Sequence, residues 1–202
     1  MRGKALIAAA CWLGVVPATA GASEDLGEAE GFRAESVTYR EGRAPASSVT
    51  VYMAPEGRRM EGLPPRGITL VSPAGDGKRW LLDPDAGRYA VDPSRAKGGT
   101  LGGVLAHEPC KGFAYSQRLG SETINGRQTV KWECRHPSFG KVTQWFDPGI
   151  NTVIRDRTAK GEVQELRGIQ VGDQDPALFR FEPSEEDSRV PVMTLFQPPA
   201  GD

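Results

Sequence analysis

Turn signals cut this chain into pieces too short for long helices, and that constrains its fold more than any other feature. Beyond residue 30, short β-rich runs alternate with Gly, Pro and Asn/Asp-Gly signals at intervals of roughly 8–15 residues, the pattern of an antiparallel all-β domain. The runs cover 35–40, 48–53, 68–72, 78–83, 88–92, 120–124, 127–135, 141–146, 152–156 and 162–169. Asn125-Gly126 is the strongest hairpin signal, because both central residues of a type I′ turn need positive φ. Asp83-Pro84-Asp85-Ala86-Gly87, Asp147-Pro148-Gly149 and Lys160-Gly161 read as further turns. The 25 glycines and 16 prolines among 202 residues agree with a turn-rich, mainly β chain of about ten strands in one curved antiparallel sheet. A hydrophobic share of 38% with 25% charged residues suits a folded domain. The formal charge of −1 supplies no electrostatic footprint for nucleic acid.

Residues 1–22 read as a secretory leader. Arg2 and Lys4 precede an apolar run over 5–16, and Pro17 breaks it ahead of small residues. Ala18-Thr19-Ala20 and Ala20-Gly21-Ala22 offer the small-x-small pattern, placing the cut after Ala20 or Ala22. The run is too short for a spanning anchor, so the expected product is periplasmic and not an integral membrane protein. Ala8-Ala9-Ala10-Cys11 lacks the large aliphatic residue of a lipobox, so no lipid is expected on Cys11. Residues 23–183 are expected to form one domain, and 184–202 an acidic and apolar tail. Within that tail, the apolar run over 190–196 reads as an edge strand or docked segment; the sharper alternative is a plug for a cavity or a contact for a partner.

Removal of the leader leaves Cys110 and Cys134, an even pair in an oxidising compartment, and a disulfide is expected between them. Val130, Trp132 and Cys134 alternate with Lys131, Glu133 and Arg135, so Cys134 belongs to the buried face of its strand. Residues 109–118 are the one stretch with helical promise, with Pro109 at the start and Gly112 as a weak point. The expected picture is a short helix or lid pinned by the disulfide onto the concave face, reached through the glycine-rich lead-in 97–103.

Trp80, Tyr89, Trp132, Trp145 and Phe146 all fall on expected strands, and a curved sheet gathers those that point inward. They are the candidate wall for a hydrophobic ligand, Trp80 and Trp132 first, although core packing is the default role of such residues. Signals for catalysis are weaker. Ser94-Arg95-Ala96-Lys97 matches S-x-x-K but lacks the K-T-G or S-D-N partner that the chemistry needs. His107 and His136 lie near Glu108 and Glu133 without a nucleophile motif, so no enzyme is expected. Asp83-Pro84-Asp85 and Asp173-Gln174-Asp175 fall short of a calcium ligand set, and neither metal nor cofactor is expected.

A faint internal echo joins Trp80-Leu81-Leu82-Asp83-Pro84 to Trp145-Phe146-Asp147-Pro148. Between them run Arg118-Leu119-Gly120-Ser121-Glu122-Thr123-Ile124-Asn125-Gly126-Arg127 and Val130-Lys131-Trp132; later comes Gly168-Ile169-Gln170-Val171-Gly172-Asp173, leading to Pro176-Ala177-Leu178-Phe179. Together these resemble the periplasmic LolA/LolB-like superfamily and its DUF4412-type relatives over residues 32–183. The resemblance implies an open half-barrel with a covered concave face. It also implies a non-enzymatic carrier or sensor of hydrophobic ligands, such as the acyl chains of lipoproteins. The departure is in the cover, since no helical apolar stripe of the length such carriers use is present. The alternative is an envelope interaction module, without a small ligand, that meets a partner protein through a sheet edge or the C-terminal apolar run. A monomer is expected in either case.

Overall fold

The computed structural model describes residues 31–75, 77–92, 103–138 and 140–197. The leader, the Ser94–Lys97 motif and lead-in residues 97–102 lie outside them. The described chain forms one open antiparallel sheet, apart from a final parallel edge. Its strands are β1 Phe32–Arg40, β2 Ser47–Ala54, β3 Gly57–Leu63, β4 Ile68–Pro73, β5 Arg79–Asp83 and β6 Arg88–Asp92, then β7 Tyr115–Ile124, β8 Arg127–His136, β9 Gly140–Asp147, β10 Thr152–Thr158, β11 Glu162–Val171 and β12 Ser188–Arg189. They lie in the order β12-β6-β5-β4-β3-β2-β1-β11-β10-β9-β8-β7, so β12 and β7 are the edges. Two meanders are thus joined by the pairing of β1 with β11, the one long-range step in the antiparallel ladder.

Ten strands stand where the β-rich runs predict them, and the Asn125-Gly126 turn has both φ angles positive, at 50° and 80°. β3 is an addition to the sequence reading. Its sequence Gly-Arg-Arg-Met-Glu-Gly-Leu is charged and carries two glycines. Gly57 is there because β3 presses against β4: a Cβ would stand 2.5 Å from the Ser72 carbonyl oxygen. The helix expected over 109–118 is not formed. Cys110 and Gly112 take left-handed φ angles of 56° and 79°, and from Tyr115 onward the chain is already β7. A non-helical strap, residues 103–114, replaces it.

Register shows how the core is assembled. Ala90, Leu81, Leu70, Met60, Val51 and Ala34 stand directly opposite one another across β6, β5, β4, β3, β2 and β1. Opposite residues share a face, so they form one apolar row across six strands. At the β4–β6 end of this row, Ile68, Leu70, Leu81 and Ala90 pack around Leu195, which is fully buried. Leu195 comes from α1, Val192–Leu195, after β12 has brought the tail along the outer edge of β6. The far end of the face is closed by Phe32, Met53, Ile154, Leu166 and strap residue Leu105.

On the opposite face the register carries Trp80 beside Val71, Arg59 and Tyr52. Residues Pro176–Phe179 form a 3-10 turn against β3 and β4 and bury Phe179. Its start is capped by the Asp175 carboxylate, which accepts from the Ala177 amide at 2.9 Å, so the Asp173-Gln174-Asp175 segment is indeed a turn element. Leu195→Ala is expected to lower unfolding free energy by about 2–4 kcal/mol, as for other buried leucines. Met193→Ala, two residues away and 73% exposed, is expected to stay within about 0.5 kcal/mol in the same urea titrations.

Candidate functional site

The strap crosses β8, β9 and β10 on the face that carries Cys134. Gln164, Asp156, Gln144 and Trp132 stand opposite one another across β11, β10, β9 and β8, a row with three polar members that faces inward. Hydrophobic patterning reads such residues as solvent-facing. Gln144 and Asp156 are accommodated there because the strap brings backbone donors to them, and Gln164 donates to the Ser36 hydroxyl at 3.0 Å. The Cys110 amide donates to Gln144 Oε1 at 2.7 Å, and the Val104 amide to Asp156 Oδ2 at 3.3 Å. Backbone bonds between Leu105 and Val153, and between Val153 and Ala106, dock the strap on the start of β10. The Cys110–Cys134 disulfide, with Cα atoms 5.2 Å apart, locks it in place as expected.

Burial beneath the strap disfavours the charged form of Asp156 and pushes its pKa up to about 6. The amides of Val104 and Gln164 oppose the shift without cancelling it. Glu133 faces the other way and its carboxylate is held below its ordinary value, first by Lys141 and then by Arg135. Glu122 is lowered in the same sense by Lys131 and then by the Trp145 indole N–H.

The five aromatic candidates divide between the faces. Trp80 and Tyr89 are brought together, 5.9 Å between ring centroids, and Phe181 completes the group at 5.4 Å from each. Trp145 shares their face but not their surroundings. It is buried, donates from Nε1 to Glu122 at 3.0 Å, and lies under the cations of Arg155 at 4.8 Å and Lys131 at 5.1 Å. Trp132 and Phe146 are half-buried on the opposite face, the one with the strap. The Trp132 Nε1 is buried and has no hydrogen-bond partner among the described residues. The sequence reading passes over Gln144 and Asp156, whose roles depend on segments far away in the chain, whereas Leu195 falls in the 190–196 run read as a docked segment.

Chemistry-bearing groups elsewhere are locally occupied. His107 Nδ1 bonds the Asn151 carbonyl at 3.0 Å, and His136 Nδ1 accepts from the Ser138 amide at 3.1 Å. A polar recess of about 140 Å³ lies between Glu41, Lys141, Thr143 and Arg157, too small and too charged for an acyl chain. No three His, Cys, Asp or Glu side chains gather into a metal site among the described residues. No helix among them is long and apolar enough to cross a membrane.

No family model matches the chain, and no curated protein matches its sequence. Solved structures match its fold. An uncharacterized conserved protein from Thermus thermophilus is similar over 80% of this chain and 91% of its own, at 12% identity and a TM-score of 0.55. A chain of the Pseudomonas aeruginosa MucA/MucB complex is similar over 83% of this chain, at 13% identity and a TM-score of 0.50; this chain spans 60% of its length. A LolA superfamily protein, NE2245 from Nitrosomonas europaea, also matches, over 76% of this chain and 91% of its own, at 13% identity and a TM-score of 0.33. The protein is thus of the open, curved antiparallel-sheet class. The LolA/LolB-like resemblance read from the sequence recurs among the matched folds, at a TM-score that carries no argument beyond the likeness.

The strap's two anchors can be tested separately. Replacing Cys110 or Cys134 with Ser opens a loop with a sequence separation of 24 and is expected to lower stability by about 3–4 kcal/mol in urea titrations. Asp156 has a folded pKa above its ordinary value of 3.8, so the folded state holds the extra proton between about pH 4 and 6. Its contribution therefore falls as pH rises through that window, by about 2–3 kcal/mol. Asp156→Asn should flatten this part of the stability profile relative to the parent and be the more stable of the two at pH 7.

Proposed function

We propose that this is an exported, non-catalytic binding protein that takes an apolar ligand, such as the acyl chain of a lipid or lipoprotein. The ligand face is the one carrying the row from Ala34 to Ala90. One observation carries the reading: the row ends in an apolar seat, and the seat is filled by the chain's own tail through Leu195. An apolar sheet face needs a cover. At this end the cover is a four-residue helix behind a two-residue strand, fixed by the short ladder of β12 on β6, by the flanking bonds of the Ser188 amide to the Gly87 carbonyl and the Val190 amide to the Tyr89 carbonyl, and by the packing of Val190, Val192 and Phe196. So few bonds hold the tail that an apolar chain competing for the seat can displace it.

In this reading residues 1–22 direct export to the periplasm, 23–183 form the binding domain and 184–202 its tail. The Cys110–Cys134 bridge suits an oxidising compartment. Trp132 and Phe146 share the ligand face and remain part of its wall, Trp80 and Tyr89 pack with Phe181 on the opposite face, and Trp145 is core, in the buried cluster that also holds Phe32, Ala34 and Leu166. An interaction module without a small ligand is the second reading, and the outer edge of β7, unpaired among the described residues, favours it.

Titration with a dansyl-labelled undecanoic acid tests the first reading on the full chain and on Leu195→Asp. An aspartate cannot stay in the seat, so the tail leaves it. Saturable binding is expected in both, about tenfold tighter in the variant because the competing leucine burial is gone. Absence of saturable binding in both proteins, with far-UV circular dichroism unchanged, would contradict the reading.

A further inference from the structure

The sheet ends differently at its two edges. The outer side of β6 is covered at Arg88 and Tyr89 by the chain's own β12. β7, at the other end, pairs with β8 along its length and has no strand on its outer side among the described residues. Nine of its ten residues are exposed. Two of the four exposed large hydrophobic residues among the described residues, Tyr115 at 45% and Leu119 at 47%, stand on it. Its sequence, Tyr-Ser-Gln-Arg-Leu-Gly-Ser-Glu-Thr-Ile, holds neither proline nor lysine, and of the devices that blunt an open edge it carries the charges of Arg118 and Glu122 and a bulge at Leu119. The strand is also held in place, with Ser116 opposite the disulfide-bonded Cys134 and the Ala114 amide on the Arg135 carbonyl.

A bulge in β7 decides what fits this edge. Arg118 pairs with Trp132 and Gly120 with Lys131, so Leu119 is an extra residue. Side chains alternate along a strand, and opposite residues of paired strands share a face. Ser116 and Arg118 therefore share one face with Ser121 and Thr123, while Tyr115 and Gln117 share the other with Glu122 and Ile124. The extra residue makes β7 complementary to itself about a two-fold axis between Leu119 and Gly120. Tyr115 then meets Ile124 of the second copy, Ser116 meets Thr123, Gln117 meets Glu122 and Arg118 meets Ser121. Each of these pairs shares a face, and none sets like charges opposite each other.

We infer that two copies of this chain pair antiparallel along β7 in this register, closing the open edge of each and forming one continuous sheet. The sequence reading expects a monomer; the edge geometry is the ground for departing from it, and it holds whether or not the apolar ligand does. The test is sedimentation velocity of the full chain with Gln117→Glu and Gln117→Lys. Gln117 is exposed, and its side chain accepts a hydrogen bond from the neighbouring Tyr115 hydroxyl. The dimer contains the Gln117–Glu122 pair twice, so a like or opposite charge acts twice. Gln117→Glu is expected to weaken the dimer by up to about tenfold and Gln117→Lys to tighten it by a similar factor, both effects shrinking in salt. A chain that stays monomeric at every concentration overturns the inference and leaves the edge to a segment of another protein. A dimer that responds in the same direction to both substitutions, or to neither, overturns the register.

Discussion

A single sheet has two faces and no second layer to bury them, and most of this structure answers that constraint. The apolar row from Ala34 to Ala90 gains nothing from the sheet itself beyond alignment. Its burial comes from segments that return to it. The tail places Leu195 over the β4–β6 end, and the strap places Leu105 near the β10–β11 end. The turn at Pro176–Phe179 and the ring of Phe181 do the same for the opposite face. Each cover is short, and each is fixed by few contacts at a defined place. The cooperativity of the fold therefore rests on long-range docking, because single-layer strands with uncovered faces are marginal in water.

The two covers of the apolar face differ in kind, and the proposed function rests on the difference. The strap is locked covalently at Cys110 and by directed hydrogen bonds to Gln144 and Asp156, so it is a permanent part of the wall. Its geometry buries a carboxylate at some loss of stability near neutral pH, a penalty that an apolar residue there would avoid but that gives the Val104 amide a partner. The tail lacks any such lock. Apolar contact and the two-residue edge ladder with β6 hold it, which is the balance expected of a cover that yields to a competing chain.

Local signals were legible and non-local ones were not. Asn125-Gly126, Asp83-Pro84 and the alternation around Cys134 are decided within a few residues, and each stands as read. β3 escaped because its first glycine serves a close approach to β4 that no local pattern announces. Residues 109–118 read as helix from composition, but the disulfide-bonded Cys110 sits in a left-handed turn and β7 begins at Tyr115. The aromatic wall needed a face for each residue. Trp80 and Trp145 lie on the same face and Trp132 on the other, an outcome set by register across many strands. Gln144 and Asp156 look like solvent-facing polar residues until the strap supplies their donors.

The claim that an apolar ligand competes with the tail for the seat is tested most directly by native mass spectrometry of the protein, expressed as the full chain in a Gram-negative host and purified without reductant or detergent. The account predicts a fraction of the protein carrying a non-covalent mass that organic extraction removes, and a larger fraction for Leu195→Asp. A protein of bare disulfide-bonded mass in both forms, with no extractable partner, would contradict it and leave the apolar face as a core closed for good by its own tail.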